Sequence, residues 1–213
     1  MRCVINHNYH KFSFNEGIEC LNMKKIQINC ELPFIGTIID FESTHWDAKK
    51  GEIITAGFLT KNGFKIMQRL NSNEDEFKEI ITDEMKSMVH PWYAFNKSCE
   101  EGFCGYDIDL DLQEGRESAY FALEKSGLLN HYNSLCDPLN NYEVPNVWES
   151  WKITKKLLLL STIVRHNYCC LAKEYYLKLK RIDNVSLEKI KAFRSSAPIE
   201  IAYIHEQLGF VKQ

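Results

Sequence analysis

The sequence contains no CxxC pair, although it has eight cysteines, at positions 3, 20, 30, 99, 104, 136, 169 and 170. Structural zinc sites pair their ligands at short spacing. Here only Cys99 with Cys104 and the adjacent Cys169-Cys170 approach that pattern, so the cysteines read as reduced thiols, mostly small buried hydrophobes. No apolar run approaches the length of a membrane span. The longest, around Leu157 to Leu160, is flanked by lysines. The start, Met1-Arg2-Cys3-Val4, lacks the apolar stretch and small-residue cleavage site of a signal peptide, so the expected location is the cytoplasm, with no membrane partner. An excess of positive charge is missing too. The formal net charge is −3, which excludes a molecule wrapped around nucleic acid by basic charge alone. No internal repeat and no low-complexity tract is present.

What remains is ordinary for a globular domain. Hydrophobic residues make up 45% and charged residues 26% of 213 positions, enough chain to bury a core without disulfide or metal staples. The expectation is one compact α/β domain, or a domain with a small appendage. Charge is unevenly placed. Residues 74 to 84 are acidic, whereas 173 to 194 carry Lys173, Lys178, Lys180, Arg181, Lys189, Lys191 and Arg194 against three acids. Such a stripe either tracks phosphates or is a solvated helix face.

Local patterns divide the chain into an N-terminal extension or extra strands (1–35), a central domain (36–183) and C-terminal helices packed on it (184–213). Lys25 to Ile28 alternates like a strand. Gly36 to Glu42 reads as a buried strand that turns acidic at its end. Glu52 to Thr60 and Phe64 to Leu70 are β-rich and joined through Lys61-Asn62-Gly63, a hairpin signal because Asn and Gly both tolerate positive φ. Ser72 to Asp75 fits a capping box opening a helix to about Val89. Trp92 to Asn96 predicts a short buried strand, Lys97 to Cys104 a helix, and 116 to 127 a helix stopping at Gly127. Residues 130 to 146 read as a loop. A long helical stretch from about Val147 to Arg181 has an expected break near His166 or Asn167. Two shorter helices follow, the last with Pro198 in its first turn. Strands first and helices last predict a mixed sheet covered by helices.

Asp40 and Glu42 lie two apart on a strand and so share a face. Two carboxylates at the end of an apolar strand need water, donors or a cation to compensate them, and hard divalent ions take such oxygen ligands. Four features follow in order. Glu-Ile-Ile-Thr-Ala-Gly opens the next strand after Asp40-Phe41-Glu42. Next comes Tyr93-Ala94-Phe95-Asn96, with Glu100 four residues on and Phe103 three beyond it. Ile108-Asp109-Leu110 follows. Late in the chain stand Glu143-Val144-Pro145-Asn146-Val147-Trp148 and Arg165-His166-Asn167-Tyr168-Cys169-Cys170.

This arrangement resembles the DEDD-type 3′–5′ exonucleases of the ribonuclease-H-like superfamily, over about residues 36 to 180. The resemblance is to a branch whose third motif is His-Asn-x-x-Asp. It implies a ribonuclease-H-like mixed sheet with its first three strands antiparallel, and hydrolysis of phosphodiester bonds at single-stranded ends with two Mg²⁺ or Mn²⁺ ions. Asp40, Glu42, Glu100 and the position of Cys170 would hold the metals, and His166 would act as general base. Asn96, Lys173 and Lys178 would contact the nucleic acid, and Trp46, Tyr93 or Phe103 could stack bases if not committed to the core.

Cys170 departs from the pattern, because it stands where the family has its final Asp. A thiolate is a poor Mg²⁺ ligand, though it suits zinc. Glu174 is the other candidate, one turn further on the same side, but about 5.4 Å of axial displacement weighs against it. The alternative is therefore a catalytically impaired module on the same fold, binding nucleic acid or a protein partner. A third expectation is a zinc protein using Cys99, Cys104, His166, Cys169 and Cys170.

Overall fold

The computed structural model describes residues 23–29, 31–70, 74–129, 137–140 and 142–196. Among these residues six strands form one mixed, mostly antiparallel sheet: β1 (Met23–Asn29), β2 (Thr37–Ser43), β3 (Ile53–Thr60), β4 (Gly63–Arg69), β5 (Trp92–Ala94) and β6 (Leu110–Asp111). Their order is β1-β4-β3-β2-β5-β6. The pairs β2·β3 and β3·β4 are antiparallel, and β1 adds antiparallel to β4. The pairs β2·β5 and β5·β6 are parallel. Thus β2 is the central strand from which the chain moves first to one side and then to the other.

Alternation along β2 explains how it serves two cores. Ile39 and Phe41 face one layer with Phe58, Met67 and the helix residues Phe77, Ile81 and Phe103. That layer holds α1 (Glu74–Lys86) and α2 (Lys97–Cys104). Ile38 faces the other way, toward Leu59, Val164, Tyr168, Leu171 and Tyr175. This second layer is built by α3 (Glu117–Lys125), α4 (Val144–Thr154) and the 25-residue α5 (Leu157–Arg181). Asp40 and Glu42 share the parity of Ile38, so they point toward α5.

The expected hairpin forms, with Thr60 opposite Gly63. Only Gly63 takes positive φ, at 110°, so Asn62 does not use its tolerance of that region. The long helical stretch breaks at Lys155, which is left-handed (φ 54°) and caps α4. The break expected near His166 does not occur, since α5 runs through it without interruption. Apolar packing on both sides of the turn keeps it helical, with Val164 and Leu171 buried. The expected loop of 130–146 gives way to α4 at Val144, with Pro145 in its first turn, where proline's missing N–H costs nothing. A last described helix, α6 (Leu187–Ser196), buries Ile190 in the α5 core. The capping box at Ser72, the Pro198 helix, most of the 1–35 extension and Cys3, Cys20, Cys30 and Cys136 lie outside the described residues.

Candidate metal centre

The site begins with a gap in a side chain. Gly57 on β3 is the register partner of Asp40. A Cβ built on Gly57 would lie 2.0 Å from Asn167 Oδ1 and 2.9 Å from Leu171 Cδ1. Glycine therefore lets α5 settle onto the sheet at this point. From there Asn167 Nδ2 donates to Asp40 Oδ2 at 2.7 Å and to the Asp40 carbonyl at 3.1 Å. These bonds join segments 127 residues apart in the chain.

Around this contact α5 presents His166, Cys170 and Glu174 at four-residue spacing, one stripe of a helix. Strand β2 contributes Asp40 and Glu42, with a bulge following Glu42. Bulges often re-aim side chains beside functional sites. Glu100 arrives from the first turn of α2, just beyond the C-terminal end of β5. Asn96 caps that helix, accepting from the Cys99 N–H at 3.4 Å and the Ser98 hydroxyl at 3.0 Å. Asn96 thus fixes where Glu100 points.

Glu42, Glu100 and Glu174 are buried, at 8%, 6% and 5% exposure. Each has one buried carboxylate oxygen without a hydrogen-bond donor among the described residues: Oε1 of Glu42, Oε2 of Glu100 and Oε2 of Glu174. Burial raises the pKa of all four acids here, and neighbouring carboxylates add to it. Asp40 is pushed up to about 8, by burial and then by Glu42. Glu100 and Glu174 rise well above the ordinary range, through burial and then Asp40. Burial raises Glu42 as well, against the pull of His166. Contact between the Glu174 and Asp40 carboxyls pulls the pKa of Asp40 down and pushes that of Glu174 up. Two unit charges 4 Å apart repel by about 4 kcal/mol at an effective dielectric constant near 20. The cluster consequently holds protons unless a cation takes their place.

One further acid belongs to the site and was not anticipated. Asp137 is 3% exposed. It accepts from His166 Nδ1 at 2.8 Å and from Lys173 Nζ at 2.6 Å. Burial alone would raise its pKa, but the contacts to His166 and Lys173 outweigh this and hold it at about 2. Asp137 is therefore a carboxylate, His166 Nδ1 is the donor, and Nε2 is the nitrogen left facing the cluster. Burial works against charge on His166, yet Glu42, Asp137 and Asp40 together raise its pKa. Nε2 lies 3.7 Å from Glu42 Oε1 and 3.7 Å from Cys170 Sγ. Ligand atoms of Glu42, His166 and Cys170 all fall within 4.8 Å of one another.

Comparison of the chain with protein-family models, curated proteins and solved structures gives no match. The site must be read from its own chemistry.

The remaining sequence candidates separate clearly. Asp40, Glu42, Glu100, His166, Cys170 and Glu174 come together. Glu174, disfavoured on helical rise, is fully part of the cluster. Lys173 is present through Asp137, whereas Lys178 lies elsewhere. It is 4% exposed, its Nζ bonds Asp183 at 2.7 Å, and it stands over the rings of Phe34 and Tyr93. Tyr93 and Phe103 are core residues, but Trp46 is 78% exposed. The five-residue zinc set is not assembled. Cys169 is in the apolar core, and the thiols of Cys99 and Cys104 donate to the carbonyls of Trp46 and Tyr106.

Proposed function

We propose that the chain is a metal-dependent 3′–5′ exonuclease of ribonuclease-H-like fold, acting on single-stranded nucleic acid ends. The observation that carries this reading is the set of three buried carboxylate oxygens, without a donor among the described residues, gathered around Asp40. Such oxygens are costly without a cation, and four carboxylates are a donor set suited to Mg²⁺ or Mn²⁺. The antiparallel strands β2, β3 and β4, followed by strands parallel to β2, support the fold assignment. So does the position of the acids at the C-terminal end of the parallel pair, where ligands of such sheets gather.

Asp40, Glu42, Glu100 and Glu174 would hold the ions. Divalent ions held there would supply activation of a water and stabilisation of a leaving 3′ oxygen. Water adds to phosphorus, the P–O3′ bond breaks, and a nucleoside 5′-monophosphate leaves a strand shortened by one residue. His166 is oriented by Asp137 and has one position, Nε2, for a proton or a cation. Glu174 supplies the carboxylate that Cys170 lacks. Trp46, exposed beside Cys99 on the loop after β2, is the aromatic available to a terminal base.

The test is Mn²⁺-dependent digestion of 5′-labelled single-stranded DNA and RNA by the full chain, beside Asp40→Asn. Stepwise shortening from the 3′ end by wild type, lost in the variant, is the expected result. Equal digestion by both proteins would overturn the reading. One observation favours an impaired module instead. Cys170 occupies the position of an acid, and burial followed by Asp40 and Glu42 pushes its thiol pKa well up. An inactive wild type with an active Cys170→Asp would establish that alternative.

A further inference from the structure

The donors of this centre are not chemically uniform. Asp40, Glu100 and Glu174 offer only oxygen. Glu42, His166 and Cys170 offer one oxygen, one nitrogen and one sulfur whose atoms converge. We propose that Glu42, His166 and Cys170 form a zinc site, leaving Asp40, Glu100 and Glu174 to a harder ion, so that the centre takes a mixed pair of metals. The inference rests on the same acidic centre as the exonuclease reading but does not require that the chain cut nucleic acid.

Geometry supports the assignment first. Zinc bonds nitrogen at about 2.0–2.1 Å, thiolate sulfur at about 2.3 Å and carboxylate oxygen at about 2.0–2.2 Å, in tetrahedral array. Those lengths place neighbouring ligand atoms roughly 3.3–3.7 Å apart. The observed separations from His166 Nε2 are 3.7 Å to Cys170 Sγ and 3.7 Å to Glu42 Oε1. The third separation, between Glu42 and Cys170, is within 4.8 Å, so closing the shell draws those two ligands together by at most about 1 Å.

Orientation supports it next. A ligating histidine usually donates its other ring N–H to a carboxylate, which fixes the tautomer and makes the free nitrogen a better donor. His166 does this toward Asp137 at 2.8 Å, with both side chains wholly buried. Lys173 braces the second Asp137 oxygen. A buried ring held in this way aims Nε2 at Glu42 and Cys170.

Glu42 Oε1 is the independent sign of a missing partner. It is buried and accepts no hydrogen bond among the described residues. Softness then selects the ion. A thiolate is a poor ligand for Mg²⁺ and a good one for zinc, so the Asp-to-Cys departure that weakens a magnesium site creates a zinc site. With three protein ligands, the fourth tetrahedral position stays open to water or to a phosphate oxygen. In the zinc-loaded protein, His166 Nε2 is engaged as a ligand and is not the proton acceptor.

The experiment titrates the chelator-treated full chain with Co²⁺ and reads near-ultraviolet absorbance for the thiolate-to-cobalt charge-transfer band. One equivalent of Co²⁺ should produce the band in wild type. Equimolar Zn²⁺ should displace it, and Mg²⁺ in large excess should not. Cys170→Ser should lose the band while retaining the wild-type circular dichroism spectrum, and Cys99→Ser should keep it. Asp137→Ala should weaken Zn²⁺ affinity by about 10–100-fold. A wild type without the band, or a Cys170→Ser variant that keeps it, would overturn the zinc site. The two readings fail separately. A cobalt–thiolate band in a protein that digests nothing removes the exonuclease and leaves the zinc site. Mn²⁺-dependent digestion without the band does the reverse.

Discussion

Asp137 and His166 meet in a dry contact at 2.8 Å, and the aspartate is held ionised by that contact and by Lys173. The pair decides which imidazole nitrogen is available to the centre. Replacing Asp137 by Asn keeps the volume but removes the charge, and it allows either ring nitrogen to carry the proton. Cation affinity measured by calorimetry with Mn²⁺ or Zn²⁺ should fall by about 10–100-fold, with helix content unchanged. Unchanged affinity would show that His166 does not face the bound ion.

Acidic residues whose pKa is raised by folding make stability depend on pH in a defined direction. Asp40 holds its proton up to about 8, and Glu42, Glu100 and Glu174 are raised in the same sense. The unfolded chain releases these protons near pH 4. Between about pH 4 and pH 8 the folded state therefore binds more protons, and stability falls as pH rises. Asp137 acts oppositely, because its stabilisation is full above about pH 4 and is lost only as pH falls toward 2. Urea midpoints in chelator should decline from about pH 5 to pH 8, and saturating Mn²⁺ should remove most of that decline. A midpoint that climbs with pH in chelator would contradict the buried cluster.

Asp40→Asn separates the cost of the cluster from its use. Removing one buried charge should raise the urea midpoint of the metal-free protein above wild type at about pH 8. The same variant should lose most of the gain in Tm that Mn²⁺ gives the wild type. Opposite signs are the expected signature of a site kept for binding. Loss of stability in chelator and in Mn²⁺ alike would make Asp40 a structural residue.

Gly57→Ala tests the contact that positions α5. The added methyl would collide with Asn167 Oδ1 and Leu171 Cδ1, an overpacking that costs about 1–3 kcal/mol. In an Asn167→Ala background the penalty should shrink by more than half, because the nearest obstacle is gone. Denaturant titration of the four proteins gives the coupling directly. Additive effects would mean that the two residues do not touch.

Much of this architecture was legible because it is written in alternation and punctuation. Ile38, Asp40 and Glu42 share a parity, the Lys61-Asn62-Gly63 turn fixes the hairpin, and Asn96 marks the start of the helix that carries Glu100. The helix break was misplaced because Lys155 and Lys156 carry none of the usual breaker residues. Only the left-handed backbone at Lys155 shows where α4 ends.

Two members of the site had different reasons for being hard to read. Asp137 sits in an irregular stretch, 29 residues before the histidine it orients, and no periodicity ties the two together. Its neighbour Pro138 marks a turn and nothing more. Glu174 was judged from the rise between backbone positions. Helical side chains lean toward the N-terminus, and glutamate is long enough for that lean to carry its carboxyl back to Asp40.

The 25 residues of α5 extend about 37 Å and are fastened at three places. Near its start, Leu160 and Ile163 lie in the cluster of Trp148 and Trp151. In the middle, Asn167 lies across Gly57, and at the end Arg181 donates to the Asp111 carbonyl. A slide of one turn, about 5.4 Å, would have to release all three at once. The helix is a fixed rail, so adjustment of the cavity to an incoming ion must come from the far end of β2 or from α2.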